Sequence, residues 1–165
     1  MIRALTLAGG LAGAVSLSQF PEFSQQYLQR LAGAVDELKV VVAAFDTSAK
    51  GFGLSRDEAL AQMGGTTFQN KLRDDMQGNL TRFKQLNADY QALSGTIPLE
   101  RLTMVWRMRD SDLALRTWDD FRPAIPVTSD GLICAGIGFV GGWLLLSGLL
   151  GLLARPFRRK AASAA

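Results

Sequence analysis

The chain contains no histidine and only one cysteine, Cys134. The missing histidine removes the commonest general base and the commonest metal ligand, and with them the Ser-His and Cys-His nucleophile arrangements. A lone cysteine forms neither an intrachain disulfide nor a thiolate metal cluster. The sequence therefore predicts no catalytic residue, no cofactor-binding residue and no metal ligand, and we expect a protein that is not an enzyme.

Charged side chains are missing from Gly131 to Ala154. An uncharged apolar stretch of this length crosses a bilayer core of about 30 Å as a helix that rises roughly 1.5 Å per residue. Four basic residues follow it: Arg155, Arg158, Arg159 and Lys160. Residues 131–154 are therefore predicted to form a transmembrane helix, and residues 155–165 a basic cytoplasmic tail.

A second uncharged stretch follows Arg3 and reaches Pro21. It has two interpretations: a signal peptide with small residues at Ser16 and Ser18 for cleavage, or an uncleaved first transmembrane helix over residues 1–20. Its glycine and alanine content suits close helix packing better than an expendable leader, which favours the uncleaved helix. Cleavage would leave a single-span protein with the same external domain.

Acidic residues are confined to the middle of the chain. All 15 lie between Glu22 and Asp130, whereas both ends carry only basic residues. The net charge of +3 therefore arises at the two ends, and it does not indicate a basic face for nucleic acid. The positive-inside rule places both termini in the cytoplasm and residues 21–130 on the opposite, periplasmic side.

Small residues recur at four-residue spacing in both predicted spans. The pairs are Gly9 with Gly13, Gly138 with Gly142, and Ser147 with Gly151. Such pairs let helix backbones approach closely in lipid, although glycine is also common in membrane helices without any specific contact. If the pairs are specific, the simplest arrangement joins the two spans of one chain.

Apolar residues follow a regular spacing of three and four residues near the start of the middle region. They are Leu28, Leu31, Val35, Leu38, Val42 and Phe45. This spacing predicts a helix with one narrow apolar stripe, beginning near Pro21. The repeat is short for a coiled-coil dimer, so burial inside an intramolecular bundle is the favoured interpretation.

The following region combines loop and helix signals. Residues 46–54 are rich in glycine and small polar side chains and predict a loop. Ser55 to Glu58 match a capping box, which predicts a short helix that stops at Gly64.

Two longer helices are predicted on either side of Gly95. The first extends from about Thr67 to Leu93, and the second begins at Pro98 and continues through Trp118. No strand alternation appears. We therefore predict an all-α integral membrane protein with two transmembrane helices and an elongated helical bundle between them. Because both spans meet the same membrane face, the external segments need an even number of passes. The helices on either side of Gly95 supply two, and the helix from Pro21 and the segment 46–65 supply two more, which predicts four.

Three aromatic residues, Trp106, Trp118 and Phe121, close this middle region. They are candidates for contacting a partner or lipid, although core packing is the favoured interpretation. The uncharged stretches of the two predicted spans, residues 4–20 and 131–154, contain no Asp, Glu, Lys or Arg, which argues against an ion pathway through this chain alone.

Three segments carry a resemblance to a known family: QFPEFSQQYLQRLAGAVDEL at residues 19–38, GLSRDEAL, and RPAIPVTSDGLICAGIGFVGGW. The chain resembles an uncharacterised proteobacterial family of short inner-membrane proteins, which is filed as a domain of unknown function. The resemblance covers nearly the whole chain and implies a Gram-negative inner-membrane protein. It implies no activity, ligand or catalytic residue.

The missing catalytic and metal-binding residues narrow the range of functions. We expect an accessory or assembly subunit that is embedded in the lipid bilayer and binds another inner-membrane protein or complex, or a second copy of itself. The alternative is a module that handles a lipid or a small apolar ligand inside the periplasmic bundle. Neither the partner nor the oligomeric state follows from the sequence, nor does cleavage of residues 1–18.

Overall fold

The computed structural model describes the backbone of residues 2–123 and 125–162, and the side chains of residues 3–123 and 125–153. The side chains of the predicted basic tail therefore lie outside the described residues. Six α-helices and a 3₁₀ helix are described. They are α1 (Ile2–Ser18), α2 (Phe20–Gly51), α3 (Arg56–Gln62), α4 (Thr67–Ser94), the 3₁₀ helix Glu100–Arg107, α5 (Ser111–Asp120) and α6 (Ser129–Ala162). No strand occurs in the described residues, so the all-α prediction is confirmed.

The chain divides into two compact units. The hairpin unit contains Met1–Gln25, Ile97–Leu102 and Phe121–Ala165. The bundle unit contains Gln26–Thr96 and Thr103–Asp120. The hairpin unit thus includes both ends of the chain and a short segment that follows α4.

The core of the bundle unit is formed by one face of α2. Leu28, Leu31, Val35 and Val42 are buried, and Leu38 and Phe45 are half-buried, which confirms the predicted apolar stripe. Tyr27 joins this face, and Leu86 and Leu93 of α4 and Leu113 of α5 pack with it in one cluster. Burying such side chains contributes about 1.5–3 kcal/mol each, so this cluster holds the three helices together.

The helix α2 is longer than predicted. It continues to Gly51, through residues that the sequence had suggested as a loop. The hydroxyls of Thr47 and Ser48 donate to the backbone carbonyls of Ala43 and Ala44, four residues earlier, so these polar side chains stay within the helix. The loop is therefore shorter than residues 46–54, and its turn falls at Gly53, whose φ is +71°.

Capping boxes start both α3 and α4. At α3, the Ser55 hydroxyl accepts a hydrogen bond from the Glu58 backbone while the Glu58 carboxylate accepts one from the Ser55 backbone, as predicted. Thr66 and Gln69 make the same reciprocal pair at the start of α4, which the sequence analysis had not identified. Each pair satisfies backbone N–H groups that a helix start leaves open.

The predicted helix from Pro98 through Trp118 is wrong, because two shorter helices replace it. Residues Glu100–Arg107 form a 3₁₀ helix that is kinked at Met104, and α5 begins only at Ser111. Asp110 accounts for the new start, since its carboxylate accepts a hydrogen bond from the Leu113 backbone at 3.0 Å. Aspartate is a preferred residue for this capping role.

The four-pass arrangement is also wrong. Tyr27 and Leu28 near the start of α2 share a cluster with Leu93 at the end of α4, so α4 itself is the return of α2. The short helix α3 has no buried residue and makes no pass of its own. The helices α2 and α4 therefore form an antiparallel pair. The segment 103–120 packs on this pair at the end that contains Tyr27 and Leu93.

Candidate functional site

Four of the glycines predicted to pack helices meet at the α1–α6 contact. A methyl group added to Gly13 would overlap the backbone carbonyl oxygen of Gly138, and one added to Gly138 would overlap that of Gly13. A methyl group on Gly142 would likewise overlap the carbonyl oxygen of Gly9. Because the higher-numbered glycine of α1 meets the lower-numbered glycine of α6, the two helices are antiparallel.

These contacts place the two backbones closer than any other residue type allows. The Cα–H bonds of Gly13, Gly138 and Gly142 point at carbonyl oxygens of the opposite helix, an arrangement worth about 0.5–1 kcal/mol for each contact. Larger side chains pack beside these glycines. A methyl group on Gly10, for example, would lie 2.8 Å from the Phe139 ring. Packing of small residues is the main way in which helices associate in lipid.

The remaining predicted packing residues lie elsewhere on α6. Ser147 is half-buried, and Gly151 is exposed, with open space where a side chain would stand. Gly136, Gly141 and Gly148 are surrounded by the same open space. The structure therefore brings Gly9, Gly13, Gly138 and Gly142 together and leaves Gly151 outside the contact.

The outer surfaces of both helices are apolar. On α1 the exposed side chains include Leu5, Leu7, Leu11 and Val15, and on α6 they include Leu132, Ile133, Ile137, Val140, Trp143, Leu144, Leu145, Leu149, Leu152 and Leu153. The two buried hydroxyls of α1 are satisfied within the helix, since Thr6 and Ser18 donate to the backbone carbonyls of Arg3 and Val15. Apolar surface of this extent marks contact with lipid or with another protein.

One stretch of α6, Ser129–Leu153, is long and apolar enough to cross a membrane by length and composition. Most of its surface is exposed, which distinguishes it from the core helix of a soluble domain. The helix α1 has the same apolar exterior, but its 17 residues are fewer than such a span ordinarily contains.

A buried carboxylate lies in the bundle unit, which the sequence analysis had missed. Asp89 of α4 is 2% exposed and accepts hydrogen bonds from Arg107 at 3.1 Å and Arg109 at 3.0 Å. A signal was present in the sequence, because Asp89 falls three residues after Leu86 and four before Leu93, at a core position of an amphipathic helix.

The surroundings of Asp89 consist of ion pairs and one buried phenol. Two guanidinium groups compensate its charge, although Nε of Arg107 is buried without a hydrogen-bond partner. Burial raises the pKa of the neighbouring Tyr27 to about 12, against the opposing effect of a hydrogen bond with the Asp110 backbone. A phenol with its pKa raised this far exchanges no proton near neutral pH. This cluster therefore fastens the segment 107–110 to α4.

The three aromatic candidates have different environments. Phe121 is half-buried and packs edge-on against Phe23 of the hairpin unit, with ring centroids 5.8 Å apart. Trp106 and Trp118 of the bundle unit are each 67% exposed, so core packing is wrong for both of them. On α5, Leu113 and Thr117 are buried while Leu115 and Trp118 face outward, which gives this helix an apolar outer side.

No group of three or more acidic or cysteine side chains that could hold a metal ion occurs in the described part of the chain. The surfaces that the structure does provide are the apolar exterior of the helical hairpin and the exposed tryptophans of the 3₁₀ helix and α5.

A family model matches residues 1–159, and its description reads "Protein of unknown function (DUF2937)". The match covers α1 to α5 and all but the last three residues of α6, and it confirms the resemblance to an uncharacterised family. No curated protein and no solved structure matches the chain.

Proposed function

We propose that this chain, which belongs to the DUF2937 family, is a non-enzymatic accessory or assembly subunit that binds another protein in the inner membrane of a Gram-negative bacterium. In this proposal α1 and α6 both span the bilayer, both termini are cytoplasmic, and the bundle unit is periplasmic. The alternative of a lipid-handling bundle has less support, because the two clefts described in the bundle unit, of about 560 and 570 Å³, are lined by charged and amide side chains as well as apolar ones.

The two-span arrangement rests on the α1–α6 contact. The helix α1 buries its glycine face against α6 and exposes leucine and valine on the other side, so its environment is the same as that of α6. A helix that exposes leucines along its length while pairing with a spanning helix needs lipid around it. Its shortness is compatible with a bilayer that thins locally or with a tilted partner.

Binding of a partner protein rests on one observation, the exposure of Trp106 and Trp118. Tryptophan is the residue most enriched among those that dominate the binding energy of protein interfaces. Two tryptophans that are each 67% exposed in one small unit leave a large apolar area in water. Exposure of this area to water is unfavourable in free energy. Another membrane protein that covers the area removes this unfavourable exposure, and the membrane hairpin keeps the chain beside such a partner.

The test is purification of the full chain from native membranes in mild detergent, with quantitative mass spectrometry of copurifying proteins. We expect a membrane protein in stoichiometric amount, and a loss of roughly tenfold or more in the Trp106→Ala, Trp118→Ala double variant. Phe68→Ala is the matched control, because Phe68 is an equally exposed aromatic residue (71%) of the same unit. A partner that survives the double variant unchanged contradicts the proposal, as does a chain that copurifies with no protein in several detergents.

A further inference from the structure

One cleft of the bundle unit, of about 570 Å³, lies between α3 and the middle of α4. We name it the α3–α4 cleft. The α4 side chains that line it include Gln77, Lys84 and Asn87, which are seven and three residues apart and therefore share one side of the helix. The volume falls within the range of small-molecule sites in proteins, roughly 300–1,000 Å³.

The apolar part of the α3–α4 cleft is formed by three half-buried side chains. Leu60 belongs to α3, and Leu80 and Phe83 belong to α4. Each of them keeps apolar surface that the two helices do not cover. An apolar group of a ligand that lies between them removes this surface from water, which favours binding.

Two opposite charges also line the α3–α4 cleft. The Asp57 carboxylate lies on α3 and the Lys84 ammonium group on α4. Neither side chain makes a hydrogen bond or an ion pair within the described part of the chain, although Asp57 lies in the electrostatic field of Arg56. Both charges can therefore pair with a ligand.

Arg56 lines the same cleft but is already occupied. Its guanidinium donates to both oxygens of the Asp46 carboxylate of α2, at 2.8 and 2.6 Å. This bidentate pair compensates the charge of Arg56. The charges of Asp57 and Lys84 remain, one of each sign, and they sum to zero.

This lining selects for a ligand that carries both signs of charge. A purely anionic or purely cationic molecule is attracted by one of the two groups and repelled by the other. A zwitterion pairs its ammonium group with Asp57 and its carboxylate with Lys84. The side-chain amides of Gln77 and Asn87 add hydrogen-bond donors and acceptors at the same lining.

Little holds α3 in place above the cleft. None of the α3 side chains, all of which the structure describes, is buried. The pair between Arg56 and Asp46 fastens α3 to α2, and partly exposed pairs of this kind contribute little. Gly53 before α3 and Gly65 after it have positive φ angles, of +71° and +119°, in backbone that glycine adopts readily. The helix can therefore adjust its distance from α4 when a ligand enters.

We propose that the α3–α4 cleft binds a free α-amino acid with an apolar side chain. Its ammonium group pairs with Asp57 and its carboxylate with Lys84. Its side chain packs between Leu60 and Phe83, and α3 closes over it. This site goes beyond the proposed function and does not depend on the membrane topology, because all of these residues belong to the bundle unit.

The experiment measures the binding of radiolabelled L-leucine to the full-length chain in nanodiscs by equilibrium dialysis. We expect one L-leucine for each chain, with a Kd on the order of 1 mM or below. Two competitors each lack one charge: isocaproic acid lacks the ammonium group of leucine, and isoamylamine lacks its carboxylate. Each should compete roughly tenfold less well than unlabelled L-leucine. L-serine keeps both charges without the apolar side chain and should also compete poorly.

Two variants assign the charges to the two residues. Asp57→Asn should weaken L-leucine roughly tenfold and leave isocaproic acid unchanged, because isocaproic acid has no ammonium group. Lys84→Gln should weaken L-leucine by a similar factor and leave isoamylamine unchanged. Asp36→Asn and Lys39→Gln are the matched controls, since these exposed residues of α2 lie outside the lining, and both should bind L-leucine as the wild-type chain does.

The outcomes separate this site from the proposed function. The absence of saturable L-leucine binding at millimolar concentrations overturns the proposal, and so does binding that both Asp57→Asn and Lys84→Gln leave unchanged. Competition by isocaproic acid or isoamylamine as strong as by L-leucine overturns it as well. A chain that binds L-leucine but copurifies with no protein contradicts the proposed function and leaves this site intact.

Discussion

Gly13 and Gly138 each direct a Cα–H bond at the backbone carbonyl oxygen of the other. The relationship is reciprocal because α1 and α6 are antiparallel, so each glycine is donor and acceptor at the same crossing. One helical turn away, Gly142 makes the corresponding contact with the carbonyl oxygen of Gly9. The crossing of the two helices is therefore set by backbone atoms, which side-chain substitutions outside the contact do not alter.

Two adjacent glycines provide a matched test of this contact. Gly142→Leu should lower the thermal stability and the folded level of the protein, because its side chain meets the backbone of α1, and overpacking of this kind costs about 1–3 kcal/mol or more. Gly141→Leu should have little effect, since nothing lies within 4 Å of its Cβ position. Equal thermal stability of the two variants in detergent would contradict the hairpin.

Topology follows from the proposed two spans. Fusions of a periplasm-dependent phosphatase after Ala165 should be inactive, whereas insertion of the same reporter at Gly53, in the exposed turn after α2, should give activity. A cytoplasm-dependent fluorescent reporter at the same two positions should show the opposite pattern. An active phosphatase at Ala165 would refute the model of two spans with cytoplasmic termini.

The burial of the apolar stripe of α2 predicts a large loss of stability when one of its side chains is truncated. Leu31 is completely buried, so Leu31→Ala should reduce the free energy of unfolding by about 2–5 kcal/mol through lost burial and the cavity left behind. Val40→Ala removes apolar atoms from the same helix at a position that is 70% exposed, and it should change stability by less than about 0.5 kcal/mol. Denaturant unfolding followed by circular dichroism measures both values.

Removing the charge of Asp89 should lower the free energy of unfolding more than removing the charge of any exposed carboxylate of the bundle unit. Asp89→Asn removes the charge that two arginines compensate, and we expect a loss of about 2–3 kcal/mol, below the cost of breaking a fully buried pair because both guanidinium groups reach solvent. Asp112→Asn removes an exposed pair with Arg116 and should cost less than about 0.5 kcal/mol. Similar melting temperatures for the two variants would show that Asp89 is not a fastening residue.

Stability should fall in alkaline solution because of Tyr27. Its pKa is raised from 10.0 in the unfolded chain to about 12 in the folded one, so the folded state favours the neutral phenol. This contribution is fully present below pH 10.0 and is lost as the pH rises towards about 12, by up to about 2–3 kcal/mol. Tyr27→Phe should abolish this part of the pH dependence, and tyrosinate absorbance should show one tyrosine that ionises late. A wild-type chain without the alkaline loss would mean that Tyr27 is solvated.

The sequence predicts the parts of this structure that local rules determine. The stripe from Leu28 to Phe45 and the capping box at Ser55 depend on spacing alone, and both were correct. The glycine pairs indicated close helix packing, but the spacing could not show that Gly9 and Gly13, unlike Gly151, would lie opposite α6.

The errors arose where a tertiary contact overrides local preference. The helix break at residues 108–110 depends on Asp110 as a cap and on Asp89 as a partner for Arg107 and Arg109, from a helix nearly twenty residues away. The extra length of α2 is a local effect by comparison: the hydroxyls of Thr47 and Ser48 donate to carbonyls four residues earlier, so these polar residues are accommodated within the helix. The sequence could not show that Trp106 and Trp118 are exposed, because a short helix has the same apolar pattern whether its apolar face is buried or exposed.

The glycine contact between α1 and α6 also imposes an order on biosynthesis. The helix α1 leaves the ribosome first and α6 last, with the whole bundle unit between them. Under the proposed topology, α1 resides alone in the bilayer with its glycine face against lipid until the bundle has been translocated and α6 has entered. The insertion machinery, or a neighbouring helix, is then the natural temporary partner of that face, and closure of the hairpin releases it.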